Sequence, residues 1–400
     1  MSNGGWEGTA RRRAVLPLLG GLAAAVVVGV LSRGWATSTE QLPIAPASTE
    51  APPAPAAAPP SDWTQLPPAP ISGRQAHSLV WTGEEALVWG GVRAPRDPRR
   101  ARAATDGAAY SPALQRWRQL PDAPDTGRFL HAAAWTGREM LVWGGATPQG
   151  RPQPAGLAYD PARDKWRVLP PAPLGPRILP ASVWTGSRLV VWGGSFREAL
   201  ADGAEYDPEH DRWRRLPESP LAPRLGATAV WTGEEVLVWG GRDGREPLFT
   251  AGAAYDPQRR TWRTLPRAPT QLRTGHVATW TGTEMIVWGG QTRDAVHTSH
   301  GVAYSPSTNR WRRLRRGPLD VHSAAGVWTG GHLVVGGTSA ERGTQDVAAY
   351  DPAADRWSLV DPPPSALQPP ASLLWTGRDL LLWGGLRQPV GAIHPGALLP

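Results

Sequence analysis

Five arginines recur at one place in the chain: Arg74, Arg128, Arg177, Arg224 and Arg273 each lie four residues beyond the proline that ends an LPxAP-like segment. His322 and Gln368 follow at the same offset. A guanidinium is a planar fork of donors suited to carboxylate, sulfate or phosphate, so arginines converging from successive repeats would form an anion-binding mouth. The competing use is structural, with each arginine tying its own loop to carbonyls or to a carboxylate. His77, His131 and His276 come three residues after three of these arginines. They offer acid/base or metal-ligating groups, or simply packing and loop hydrogen bonds. Glu85, Glu139, Glu235 and Glu284 recur nearly as often, but at the other end of the repeat. The chain has no cysteine, which removes disulfides, thiolate metal sites and a cysteine nucleophile. It shows no nucleophile elbow, phosphate loop, HExxH pattern or calcium loop. No cofactor is implied.

The elements that position these residues follow from a repeat. From Asp62 onward four short signals return in fixed order, at the spacing of propeller blades. Strand a runs into the tryptophan of WTG, as in RQAHSLVWTG, and the Thr-Gly pair is a tight turn. Strand b follows as EEALVWGG, strand c ends in AAYSP or AAYDP, and strand d carries another tryptophan, as in RWRQLP. Each repeat is thus a four-stranded antiparallel meander. Of 22 tryptophans, all but Trp6 and Trp35 belong to these signals, which marks them as packing residues between stacked sheets. Residues 62–67 supply a strand d without partners, while the last repeat has strands a and b and then Ala392 to Pro395. The N-terminal strand therefore closes the C-terminal blade, giving seven blades and no open edge.

The double glycine after strand b, the later tyrosine and the tryptophan after it resemble the kelch repeat, as at Gly90, Gly91, Tyr110 and Trp117, or Gly240, Gly241, Tyr255 and Trp262. The resemblance covers Asp62 to about Pro395. It implies an all-β, seven-bladed kelch-type propeller, and most such propellers are binding platforms, with a few enzymes such as galactose oxidase and a sialic acid mutarotase. Galactose oxidase chemistry is disfavoured, because that family's cofactor needs a cysteine joined to a tyrosine. Two departures are read from the sequence: Val335 in place of the sixth strand-b tryptophan and Ile393 in place of the seventh tyrosine.

The a–b and c–d turns lie at one end of a meander and are nearly constant, whereas the b–c segments at the other end vary, as recognition loops do. The longest, Val92 to Ala109, carries Arg93, Arg96, Arg99, Arg100 and Arg102, and reads as a basic arm or as a solvated insertion.

Ahead of the repeats, residues 1–36 read as a signal peptide or N-terminal membrane anchor: three arginines, an apolar stretch from Ala14 to Leu31, then small residues near Ala36. Arg12 to Leu16 partly resemble a twin-arginine export signal. Residues 37–61 are a Pro/Ala-rich linker and residues 62–400 the propeller. Net charge is +8, but only one basic residue is lysine, and no basic run interleaves with exposed aromatics. Nucleic acid is not expected as a partner.

The expectation is an exported or membrane-tethered module that binds an extracytoplasmic protein, peptide or acidic glycan through its b–c and d–a face. The alternatives are a carbohydrate-active enzyme similar to the sialic acid mutarotase, with the arginine mouth holding a sugar carboxylate, and a purely structural envelope protein.

Overall fold

The computed structural model describes residues 62–395 except 94–101, 148, 150, 244–248, 272, 293–296, 320, 340–344, 364–370 and 386–389. The signal or anchor segment and the linker lie outside the described residues. Among the described residues no helix is long and apolar enough to cross a membrane.

Among the described residues there are seven four-stranded antiparallel sheets and one two-stranded ribbon. Blade 1 pairs Ser78–Trp81, Ala86–Trp89, Gly107–Ser111 and Arg116–Gln119 in that order, as strands a to d, and the next five blades repeat it. Blade 7 consists of Ala371–Trp375, Asp379–Gly384 and Val390–Pro395, with Thr64–Gln65 paired to Ile393 and Ala392 as its outer strand. The a strands of successive blades touch in an unbroken cycle that returns from blade 7 to blade 1, so they surround the axis.

The hydrophobic core is divided into seven clusters, and each joins two neighbouring blades. Strand b is buried along its whole length because it lies between two sheets, which explains its unbroken apolar run. Six strand-b tryptophans are fully buried, and each meets the strand-d tryptophan of the next blade at ring-centroid distances of 5.2 to 6.3 Å. The strand-d tryptophans act a second time through their indole N–H. Trp117, Trp166, Trp213, Trp262 and Trp311 donate to Pro67, Pro121, Pro170, Pro217 and Pro266 of the preceding blade, at 2.8 to 3.1 Å. Trp357 donates to Arg315 O and Trp63 to Asp361 O, so every blade is tied to the one before it.

A glycine opens strand c in blades 1 to 5 for a steric reason. A Cβ on Gly203 would lie 2.6 Å from Val191 O and 2.8 Å from Leu216, against the indole of Trp192. Gly391 has the same surroundings in blade 7, with Leu66, Leu382 O and Trp383. That register corrects the sequence reading of the last blade. Leu380 pairs with His394 as Ala86 pairs with Tyr110, so His394 rather than Ile393 stands at the tyrosine position. His394 meets Trp63 edge-on at 5.0 Å, where other blades have a tilted tyrosine.

Blade 6 needs a second correction. Counted from the WTG turn, Gly336 and not Val335 holds the tryptophan position, and it pairs with Val347, which replaces the strand-c glycine. The large and small partners have exchanged strands. Strands b and c consequently run straight through the double glycine as Leu333–Ser339 and Gln345–Asp351.

Gly203→Ala is expected to destabilise the fold by about 2–4 kcal/mol, since backbone must move to admit the methyl group. Trp213→Phe, which keeps a ring but orphans Pro170 O, should cost about 1–3 kcal/mol. Denaturant unfolding measures both; Gly203→Ala as stable as the parent would refute the packing account.

Candidate functional site

The two ends of the blades are built differently. At the a–b end, each WTG threonine closes its turn: Thr82 N–H donates to Glu85 O, and Thr82 Oγ1 accepts from the N–H groups of Glu84 and Glu85. Glu85 then receives Arg118 of strand d at 2.6 and 2.9 Å, and Arg118 also donates to Tyr159 OH and Asp164 of blade 2. The same arrangement links Glu139 to Arg167, Glu235 to Arg263 and Glu284 to Arg312, each reaching a tyrosine of the next blade. The hydrogen bonds to Glu85 and Glu139 raise the pKa of Arg118 and Arg167 above the usual arginine value.

Between blades 3 and 4 the polarity reverses. Arg188 replaces the turn glutamate, Glu205 appears in strand c opposite Arg214, and Arg260 replaces the aspartate of the next c–d turn. Glu205 accepts from Arg260 at 2.9 Å and from Tyr255 OH at 3.4 Å, so an inter-blade ion pair survives with its charges exchanged. This end is consumed by the scaffold.

The five repeated arginines lie at the opposite end, but they do not form an open mouth. Arg74 and Arg128 are 0% exposed and Arg177, Arg224 and Arg273 1%. One Nη1 in each donates to the carbonyl of the first glycine of its own blade, at 3.0 to 3.2 Å: Gly90, Gly144, Gly193, Gly240 and Gly289. The same atom reaches the carbonyl just before strand c, at Asp106, Ala155, Asp202, Ala251 and His300. Arg74 and Arg177 add the carboxylates of Asp106 and Asp202 at 2.8 Å, and Arg128 pairs with Asp125. Burial lowers the pKa of Arg128, Arg224 and Arg273 to about 10, leaving them charged at neutral pH.

The anion-mouth expectation is therefore corrected: these guanidiniums hold the double-glycine bend. Gly90 and Gly91 take φ of +68° and +89°, which turns the chain out of strand b and aims the carbonyl at the arginine. His322 does not belong to the set. Val321 pairs with Ser339 as Gln75 pairs with Val92, which puts His322 two places past the arginine position, opposite Thr338 and just before an irregularity in the strand pairing. Gln368 lies outside the described residues.

His77, His131 and His276 are inter-blade packing groups. Each imidazole stands edge-on to the strand-b tryptophan of the preceding blade, Trp383, Trp89 and Trp239, at 4.9 to 5.4 Å. His276 Nε2 meets Thr228 Oγ1 at 2.8 Å, while the buried ring nitrogens of His77 and His131 have only the backbone of Arg74 and Arg128 as polar neighbours. Burial, with the nearby arginine, pushes each pKa down to about 3.

What remains free at this end is loop surface. Blade 1 carries an extra ribbon, Val92–Arg93 paired with Arg102–Ala103, so the basic insertion begins and ends as ordered structure. Arg93 is anchored there to Asp106 at 2.5 Å. In blades 2, 3 and 5 the segment after the double glycine folds back on itself through single bridges, Ala146 with Pro152, Ser195 with Ala199 and Gln291 with His297. All three phenylalanines of the chain, Phe129, Phe196 and Phe249, belong to this end, although tryptophan fills the scaffold. Phe249 stacks on the Arg224 guanidinium at 4.1 Å.

A closed ring of seven meanders with one uniform end and one loop-bearing end defines the class: a β-propeller interaction module. The chain belongs to the kelch-repeat family, since the family model described as "KLHDC2/KLHL20/DRC7 Kelch-repeats domain" matches residues 180–385. No curated protein matches the chain.

Arg273→Met leaves the carbonyls of Gly289 and His300 unpaired and should lower the unfolding free energy by about 2–4 kcal/mol. A variant as stable as the parent would return this arginine to the role of a ligand group.

The histidines predict an acid sensitivity. Above pH 6.5 they are neutral in both states; as pH falls towards 3 the unfolded chain gains protons that the folded chain refuses. Each then removes about 1.4 kcal/mol of stability per pH unit. Blade 4 carries Ala227 at this position, so His77→Ala with His131→Ala should flatten the fall in melting temperature between pH 6.5 and about 4. An unchanged pH profile would contradict this.

Proposed function

We propose that the protein is an exported, envelope-held kelch propeller that recognises an extracytoplasmic protein or peptide through the face formed by its b–c loops and d–a entries. The observation that carries this reading is the asymmetry of the ends. One end has its turn carboxylates, strand-d arginines and tyrosines committed to links between blades, whereas the other sets loops of different content on a rigid base. Side chains that differ from blade to blade on an invariant frame are free to be chosen by a ligand. Export is supported by the arginines and apolar stretch of residues 9–36, which also provide a membrane tether where that segment is retained.

The same geometry weighs against a sugar-acid site. The arginines and histidines such a site would use are spent on carbonyl caps and on contacts between blades.

Binding should be measured on the purified chain against extracellular proteins, peptides, and acidic and neutral glycans. Replacing Phe196 to Leu200 by a Gly-Ser turn should abolish capture of a protein or peptide, while Glu235→Gln at the far end should leave it intact. The opposite pattern would sink the proposal. A reporter fused after residue 61 and active only outside the cytoplasm should be active; an inactive fusion refutes export.

A further inference from the structure

Ten non-glycine residues have positive φ among the described residues, and they fall into two groups. Six occupy one position in the c–d turns, namely Gln115, Asp164, Asp211, Arg260, Asn309 and Asp355. Four of these accept the hydroxyl of their own blade's tyrosine, and Arg260 joins Glu205. Aspartate and asparagine tolerate this conformation, and their side chains have a use there.

The other four, Ala76, Leu130, Leu179 and Arg197, all lie at the b–c and d–a end. Leu130 and Leu179 sit two residues after the buried arginine, at φ of 56° and 50°; blades 4 and 5 have Gly226 and Gly275 at that position, with φ of 65° and 64°. A leucine costs roughly 1–2 kcal/mol more than glycine in this conformation. Neither leucine belongs to any of the seven inter-blade clusters. The preceding residues Phe129 and Ile178 are buried, while the leucines themselves are partly buried and keep some surface open to solvent. Their backbones are joined: Leu130 N–H donates to Ala76 O, Leu179 N–H to Leu130 O, and Gly226 N–H to Leu179 O. Two leucines at positive φ are thus fixed side by side at the loop-bearing end of the ring.

The charge beside them is positive. Arg151 and Arg197 are exposed in the b–c segments of the same two blades, and Arg197 itself has φ of 89°. Arg197 follows Ser195 by two residues, and Ser195 is paired with Ile178, next to Leu179. Of the acids there, Asp202 is engaged by Arg177 and Arg215, which leaves Glu198 against two exposed arginines.

We propose that Leu130 and Leu179 form the apolar anchor point, and Arg197 the flanking cation, for a partner-protein segment that carries an aliphatic side chain beside a carboxylate. Aliphatic carbons offer nothing to sugar hydroxyls, so peptide is favoured over glycan. The proposal rests on the recognition face named above and assigns its specificity.

The test uses the full chain and arrayed synthetic peptides centred on Glu-Leu-Glu, Ser-Leu-Ser, Lys-Leu-Lys and Glu-Ser-Glu, with an acidic oligosaccharide as a further arm. Glu-Leu-Glu peptides should bind best. The double variant Leu130→Gly, Leu179→Gly should lose roughly tenfold or more in affinity with an equal or higher melting temperature, because glycine relieves the backbone. Arg197→Ala should weaken binding and reduce its salt dependence. A fall in melting temperature that parallels the loss of binding would make the leucines structural and overturn the proposal, as would preferential binding of the oligosaccharide. Peptide binding that survives both glycine changes but is lost with the Phe196 to Leu200 replacement removes the leucines alone. Peptide binding indifferent to either change removes the face as well.

Discussion

The structure depends on a single repeated hydrogen bond: the indole N–H of each strand-d tryptophan donates to a backbone carbonyl of the preceding blade, seven times around the ring. A meander has one sheet and no interior, so no blade can bury its own apolar surface. Stability therefore resides between sheets, where one wide ring both fills the gap and carries a donor at its edge. Tryptophan meets both demands, which accounts for its predominance over phenylalanine. The bond also fixes how far each sheet slides against the next, and from that follow the strand-c glycine and the inter-blade clusters. Trp63 completes the cycle from the N-terminal strand.

Much of this was legible in the sequence, because repetition converts weak local signals into strong ones. The WTG turn, the strand order and the blade count came from position alone. The errors arose where two signals that usually coincide part company. In blade 6 the double glycine suggests one register, but register follows the a–b turn, and the exchange of tryptophan and glycine for Gly336 and Val347 is visible only across the pair. AIHP was matched to AYDP by its proline, whereas packing aligns Gly391 with the other strand-c glycines. His322 was placed by distance from a proline, and the irregular pairing between His322 and Ala325 breaks that spacing.

The arginines show a different limit. Recurrence reveals that a residue matters and is silent on whether its donors face water or carbonyls; burial decides that, and burial is a property of the closed ring. The sequence holds one further signal. Glutamate after the a–b turn and arginine after the strand-d tryptophan occur together in blades 1, 2, 4 and 5, and neither stands at its place in blades 6 and 7. Residues that come and go together within a repeat array are partners, and Glu85 with Arg118 is such a pair. Blade 3 is the exception: Arg188 stands at the glutamate's place although Arg214 follows the strand-d tryptophan, and Glu205 of strand c pairs instead with Arg260 of the next blade.

These commitments divide the molecule chemically. Where a polar or strained residue recurs and its partner recurs with it, the cost of holding it is met inside the fold: Arg74 has its carbonyls, and Asp164 has Tyr159 and Arg118. Leu130, Leu179 and Arg197 break this pattern, since they occupy unfavourable backbone at the end where side chains change from blade to blade and other blades use glycine. Selection for stability alone would replace a leucine at that place by glycine, as in blades 4 and 5. The scaffold sets the conformation itself, since Ala76, Gly226 and Gly275 share it and backbone hydrogen bonds link these positions from blade to blade; what it leaves open is the side chain, and a leucine there is the choice that the proposed partner would explain.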